Sequence, residues 1–225
     1  MTGRNVSALR LALRSYREFY DRIWWMLLLT AVWWLLLTTI IFIPTATLLL
    51  FKHADPRVGV WDDRPDIRES GQFLWSQLAR GWLITLATVP LVGLMAFNMT
   101  YYGGGDSSLS FLAPIWLMLL ILGITATISI FAVAGVTDLP AREVVVTGAR
   151  LTAVRLPAAL MIVFVTALVP ILMITSTYYV LLPIAVLIPG LVATAFSKFV
   201  LKAMGMQIPE PNKPTEERLH ERHSG

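Results

Sequence analysis

Four stretches of the chain contain no Asp, Glu, Lys or Arg: residues 24–51, 81–105, 109–137 and 156–197. Each is continuously apolar instead of alternating with period two, a pattern that predicts helices and argues against a β-barrel. A spanning helix needs roughly 20 apolar residues, and every stretch reaches that length. The last is twice as long and divides at "TSTYYVLLP" (175–183), where a short polar and aromatic turn separates two apolar halves. The expected spans are therefore 82–102, 110–136, 156–175 and 178–201.

The first stretch is harder to place. It has 28 residues and carries Pro44 well inside it, followed by Thr45 and Thr47. Proline lacks the helical donor and disfavours helical geometry in the residue before it. The two threonine hydroxyls can satisfy backbone groups freed by the break. Two readings remain open. One is a single proline-kinked crossing. The other is a re-entrant segment that rises from Trp24 to about Phe42, breaks at Pro44 and descends through Phe51.

The distribution of charge bears on this choice. All 18 basic residues fall in four blocks, before residue 24, within 52–80, within 142–155 and after 197. Lys and Arg are retained on the cytoplasmic side of a membrane. The blocks then face the cytoplasm, and the connections 101–110 and 175–179, which have no basic residue, face outside. Four spans obey this with a cytoplasmic C-terminus, whereas the first stretch is basic on both flanks, as a re-entrant segment would be. Only 14% of the residues are charged and 56% are hydrophobic, against about 25% charged in soluble domains. The expected fold class is an all-α membrane protein. It comprises an N-terminal interfacial amphipathic helix (1–23), a proline-broken, potentially re-entrant first membrane helix and four further transmembrane helices. The polytopic domain covers 24–204, with a cytoplasmic segment at 52–80 and a disordered charged tail at 205–225.

Within the first 23 residues, Leu9, Leu13, Tyr16 and Tyr20 share one helical face, flanked by Arg10, Arg14 and Arg17. Such a helix lies in the headgroup layer, its arginines drawn to anionic lipid headgroups. The lipid bilayer is thus the first partner, and nothing points to nucleic acid.

Candidate chemistry is sparse. There is no cysteine, and His53, His220 and His223 all lie outside the apolar stretches, so no metal and no cofactor is expected. The charge-free stretches carry polar side chains at Thr85, Thr88, Asn98, Thr125, Thr127, Ser129, Thr166 and Ser197, without an acid, base or thiol among them. They are expected to back-bond to their own helices or to bond between helices. The expected protein is not an enzyme. A coupled transporter usually leaves an ionisable residue within its spans, and none occurs in the four charge-free stretches. The Trp33–Trp34 pair is a candidate substrate contact, weighed against helix packing. Arg142, Arg150 and Arg155 are candidate partner contacts, with Asp138 placed to pair with Arg142 at i,i+4.

The segments "IFIPTATLLLFK" (41–52) and "TGARLTAVRLPAALMIVF" (147–164) together resemble the YesL-like family of bacterial membrane proteins of unknown function. The shared features are a basic N-terminal helix, a proline–threonine break and an "A…R.P" entry to a later span, here Ala149, Arg155 and Pro157. Where the family commonly has glycine after the break, this chain has Ala46 and Thr47. The resemblance implies a multi-pass protein of the bacterial cytoplasmic membrane, associated with carbohydrate ABC importers and so with ABC transporter permease subunits. It carries over no catalytic or binding residue. The leading expectation is a non-enzymatic accessory or assembly partner of such an importer. The alternative is an uncoupled small-solute transporter or channel-like carrier.

Overall fold

The computed structural model describes residues 13, 15–16, 23–57, 67–104, 109–168 and 187–206. Every regular element among them is helical. In chain order these are α1 (Ile23–Leu37), α2 (Ile43–Ala54), α3 (Ile67–Ser76), α4 (Leu78–Gly103), α5 (Ala113–Val136), α6 (Ala141–Val154), α7 (Leu156–Val163) and α8 (Ile188–Ala203).

Among the described residues, two helices are long and apolar enough to cross a membrane: Leu78–Gly103 and Ser110–Val136. They match the expected spans 82–102 and 110–136. They run antiparallel: Gly123 faces Met95 and Val92 while Trp116 stacks on Tyr102, so that going back along one helix goes forward along the other. Extended along both helices, that register puts Gly81 level with Gly135. Of the expected span 156–175, residues 156–168 are helical and 169–175 fall outside the described residues; Leu156–Ala167 qualifies as a span only together with Ala141–Val154, from which it is bent by 94° at Arg155. Pro157 stands in the first turn of α7, where a missing donor is harmless, and marks the restart after the bend. Of the expected span 178–201, residues 188–201 lie on α8, and 178–186 fall outside the described residues.

The first apolar stretch folds back on itself. Trp33 Nε1–H donates to Thr47 Oγ1 at 3.2 Å. In one continuous helix these residues would stand about 21 Å apart at 1.5 Å per residue, so α1 and α2 form a hairpin. Its turn is not at Pro44. Thr38 and Thr39 donate their hydroxyls to Leu35 O and Leu36 O at 2.6 and 2.7 Å, ending α1. A 3-10 turn over Ile40–Phe42 follows, with Ile40 at φ +24°. Ile43, directly before the proline, stays helical at φ −48°, ψ −52°. Pro44 sits in the first turn of α2, where it starts a helix and breaks none.

The hairpin is seated across one end of the α4–α5 pair. A Cβ on Gly81 would meet Pro44 Cβ at 3.0 Å, and one on Gly135 would collide with Phe51. Pro44 and Phe51 are seven residues apart, about 10 Å of helix, which matches the 8–10 Å between packed helix axes. α2 therefore lies over both helices, its N-terminal end on α4 and its C-terminal end on α5. Trp82 Nε1–H fixes the turn by donating to Ile41 O at 3.0 Å. The core gathers at this same end: Leu48, Leu50 and Phe51 of α2, Phe131–Val136 of α5, and Phe196, Val200 and Leu201 of α8 are buried. Toward the other end, α4 and α5 leave Leu86, Leu94, Phe97, Phe111 and Met118 exposed.

α6 also packs back along α5. A Cβ on Gly148 would lie 2.6 Å from Ile130 Cα, and farther on Leu156 shares a groove with Ile121 and Leu122. Both contacts are symmetrical about residue 139, as an antiparallel pair requires. α6 is thus not a free-standing surface segment. Its buried stripe is Val144, Gly148 and Thr152.

Candidate functional site

The densest polar constellation lies where α2, α4, α5 and α8 meet. Asp55, 3% exposed, closes the C-terminal end of α2. Its carboxylate accepts from Arg57 Nη2 at 2.7 Å and from Nε at 3.1 Å. Arg57 Nη2 also donates to Val136 O at 2.6 Å, and Nη1 approaches Met206 Sδ at 3.1 Å. From α4, Arg80 donates to Thr137 O at 2.8 Å and to Gln77 Oε1 at 3.0 Å. Two guanidinium groups therefore meet the terminal carbonyls of α5, where unpaired acceptors and the negative end of the helix dipole favour cations. Ser197 of α8 donates to Phe51 O at 3.3 Å. Lys52 pairs with Glu69 at 3.6 Å and lies over the Phe73 ring at 4.4 Å.

His53 is buried in this cluster. Burial first, and the Lys52 charge second, hold its pKa below the ordinary value, while Glu69 opposes them. The arrangement is that of a clamp. Its charged groups are spent on helix ends and on one another, and no group of three or more potential metal ligands occurs among the described residues.

The residues singled out from sequence fall in three places. Pro44 and Thr45 are buried in the α2 seat, and Thr47 is half-buried. Thr45 donates to Phe42 O at 3.2 Å and Thr47 to Ile43 O at 2.9 Å. Both hydroxyls thus serve the backbone at the hairpin turn, as their positions suggested. Trp33 spends its indole N–H on Thr47 and packs edge-on against Trp34 at 5.1 Å, while Trp34 is 45% exposed. Arg142, Arg150 and Arg155 are exposed on α6 and its C-terminal end. The i,i+4 pairing of Asp138 with Arg142 lacks its premise, because Asp138 lies in the extended connection before α6 begins at Ala141. Asp138 acts electrostatically on Arg80 instead.

Four of the span hydroxyls bond to their own helices, whereas Ser197 donates across to α2 and Thr85 Oγ1 is buried without a hydrogen-bond partner. Thr88, Thr125, Ser129 and Thr166 donate to Ile84 O, Ile121 O, Thr125 O and Ile162 O. Of the amphipathic N-terminal segment, Leu13 is exposed and Tyr16 donates to Val165 O at 2.8 Å, which ties that segment to the π-helical turn after α7. Leu9, Tyr20 and most of 1–22 lie outside the described residues, as does the tail from 207.

Sequence reasoning missed the clamp. The signal was present in Asp55 and Arg57 directly after a helix end, yet they read as part of a solvated charge block. A groove of about 300 Å³ between Pro114–Leu122 of α5 and Leu156 and Leu160 of α7 was also not foreseen.

Compared with protein-family models, curated proteins and solved structures, the chain matches none of them.

Proposed function

We propose that this chain is a non-enzymatic, multi-pass protein of the bacterial cytoplasmic membrane that serves as an accessory or assembly partner of a carbohydrate ABC importer. In this reading α4 and α5 cross the bilayer. The bent α6–α7 pair and α8 supply the remaining passages. The α1–α2 hairpin is re-entrant from the side that carries the basic blocks, and positive charge retained in the cytoplasm puts that side, with the C-terminus, inside.

The observation that carries the reading is the division of labour among polar groups. Asp55, Arg57 and Arg80 hold helix ends, Thr88, Thr125, Ser129 and Thr166 bond to carbonyls of their own helices, and Trp33 closes the hairpin. What remains directed outward is an apolar surface on α4 and α5 and the arginines of α6. Such a surface suits contact with lipid and with other membrane subunits. Arg142 and Arg150 flank the side of α6 away from its buried stripe and are the proposed contacts to acidic groups of a permease subunit. The family resemblance supplies the class of partner.

Affinity purification of the tagged protein in mild detergent tests the proposal. Co-recovery of permease and ATPase subunits, reduced by Arg142→Glu together with Arg150→Glu, is the expected result. A chain recovered alone that moves a small solute in liposomes would overturn it in favour of the carrier.

A further inference from the structure

Three contacts fix the height of the α1–α2 hairpin against the α4–α5 pair. A Cβ on Gly81 would meet Pro44, and one on Gly135 would meet Phe51. Gly81 and Gly135 are level in the antiparallel register, so both ends of α2 rest at one height and α2 crosses the pair nearly at right angles. The turn is at that height too, since Trp82 Nε1–H donates to Ile41 O. α1 runs back alongside α2, with Trp33 bonded to Thr47. From Gly81 to Tyr101, α4 rises about 30 Å, the thickness of a hydrocarbon core. The hairpin turn therefore lies at the edge of that core. A turn at its middle would touch α4 near Leu91, about 15 Å farther on.

The neighbouring side chains agree with this height. Arg80 and Gln77 bond to one another beside the turn, and Arg80 also holds Thr137 O. A turn at mid-membrane would carry that guanidinium into hydrocarbon, where charge is costly. Exposed tryptophans mark both ends of the hairpin. Trp24, 83% exposed, stands at the open end, and Trp75, 69% exposed, packs edge-on against Phe42 at the turn. Tryptophan collects at membrane–water boundaries, and a hairpin that dips into the core has only its open end at one.

α1 then lies in the plane of the membrane with one face on the protein. Met26, Leu29 and Thr30 are buried, whereas Trp24, Leu27, Leu28, Val32, Trp34 and Leu35 are exposed. Apart from the indole nitrogens, Thr30 is the one polar side chain of α1, and it donates to Met26 O. An apolar face of this extent marks contact with lipid or protein. Across Ile40, Ile41 and the Trp82 bond it is continuous with the exposed apolar face of α4 that begins at Leu83 and Leu86. What covers α4 therefore covers α1.

We propose that the α1–α2 hairpin is a monotopic element lying in the plane of the cytoplasmic leaflet, and that the outer face of α1 docks among the acyl chains of that one leaflet, just beneath its headgroups. The proposal rests on α4 and α5 crossing the bilayer and deepens the re-entrant reading: the segment enters and leaves on one side without descending to the middle.

The test is a depth measurement on the full chain in phosphatidylcholine–phosphatidylglycerol vesicles. Nitroxide labels are placed through Leu28→Cys, Leu35→Cys and Ile41→Cys on the hairpin and through Leu83→Cys and Leu91→Cys on α4. Collision with oxygen against collision with a water-soluble nickel chelate reads the depth of each. The three hairpin labels should lie within about 5 Å of one another and of the Leu83 label, with the Leu91 label about 12 Å deeper. All three should meet oxygen as lipid-facing labels do. An Ile41 label about 20 Å deeper than the Leu28 label, the rise of thirteen helical residues, would overturn the proposal and leave the crossing of α4 intact. Labels at Leu28 and Leu35 that meet the nickel chelate freely, or that meet neither reagent, would assign the face to water or to a protein and likewise overturn it. Equal depths at Leu83 and Leu91 would overturn the crossing of α4 and the proposal with it. Val32→Cys gives the same reading should Leu28→Cys or Leu35→Cys fail to fold.

Discussion

Asp55 and Arg57 illustrate how much a single pair can hold. The carboxylate is buried and the guanidinium reaches both it and the last carbonyls of α5. Removing one partner of such a pair leaves the other uncompensated, at a cost of about 3 kcal/mol. Asp55→Ala should therefore lower thermal stability in detergent far more than Glu69→Ala, whose ion pair with Lys52 is largely exposed on the acidic side. His53 adds a pH dependence with a definite sign. Its folded pKa lies below the ordinary 6.5 through burial and the Lys52 charge. As pH falls through that value, the unfolded chain takes up a proton before the folded one does, so stability drops on the acid side. The melting temperature should be lower at pH 5 than at pH 7.5, and His53→Gln should flatten the difference. At the hairpin, Thr47→Val keeps the shape but removes the acceptor of Trp33. It should cost about 1 kcal/mol, and Trp33→Phe should add little to it because both remove the same bond.

At the scale of elements, the two long helices were legible because their evidence is one-dimensional: long charge-free runs with charge at their ends. The fold-back of the first stretch was half legible. Basic flanks on both sides implied it, but the turn was assigned to Pro44 when Thr38, Thr39 and Ile40 make it. Proline within an apolar run has the same appearance whether it ends one helix or begins the next. Which of these it does depends on the preceding hydroxyls and on Gly81, some 37 residues away, against which Pro44 packs. Pro44→Ala should accordingly leave the hairpin closed. Ile40→Gly should stabilise it by about 1 kcal/mol by relieving a left-handed backbone at a β-branched residue. The seats themselves were invisible in sequence, since a glycine notch has meaning only beside its partner helix. Gly135→Val should dislodge α2 and unfold the clamped end, because Phe51 occupies the space. Gly71→Ala, with nothing within 4 Å, should gain about 1 kcal/mol of helix propensity.

For the whole molecule, the buried core gathers at the clamped end, while α4 and α5 stay in contact at the other, where Tyr102 stacks on Trp116. Buried side chains crowd the C-terminal half of α5, most of α2 and most of α8, whereas the far halves of α4 and α5 remain largely apolar and exposed. A chain of this shape suits a protein that lets lipid or another subunit complete its surface. Its central feature is the α1–α2 fold-back, which brings the start of α1 and the end of α2 to the same end of the hairpin, and in the proposed topology to the same side of the membrane. The chain contains no cysteine, so single thiols report sidedness without background. Leu13→Cys and Ser76→Cys, both at exposed positions, should react with a membrane-impermeant maleimide from the same side, in intact cells and in inverted vesicles alike. Labelling of the two from opposite sides would mean that the first apolar stretch crosses the membrane once, and would contradict the hairpin.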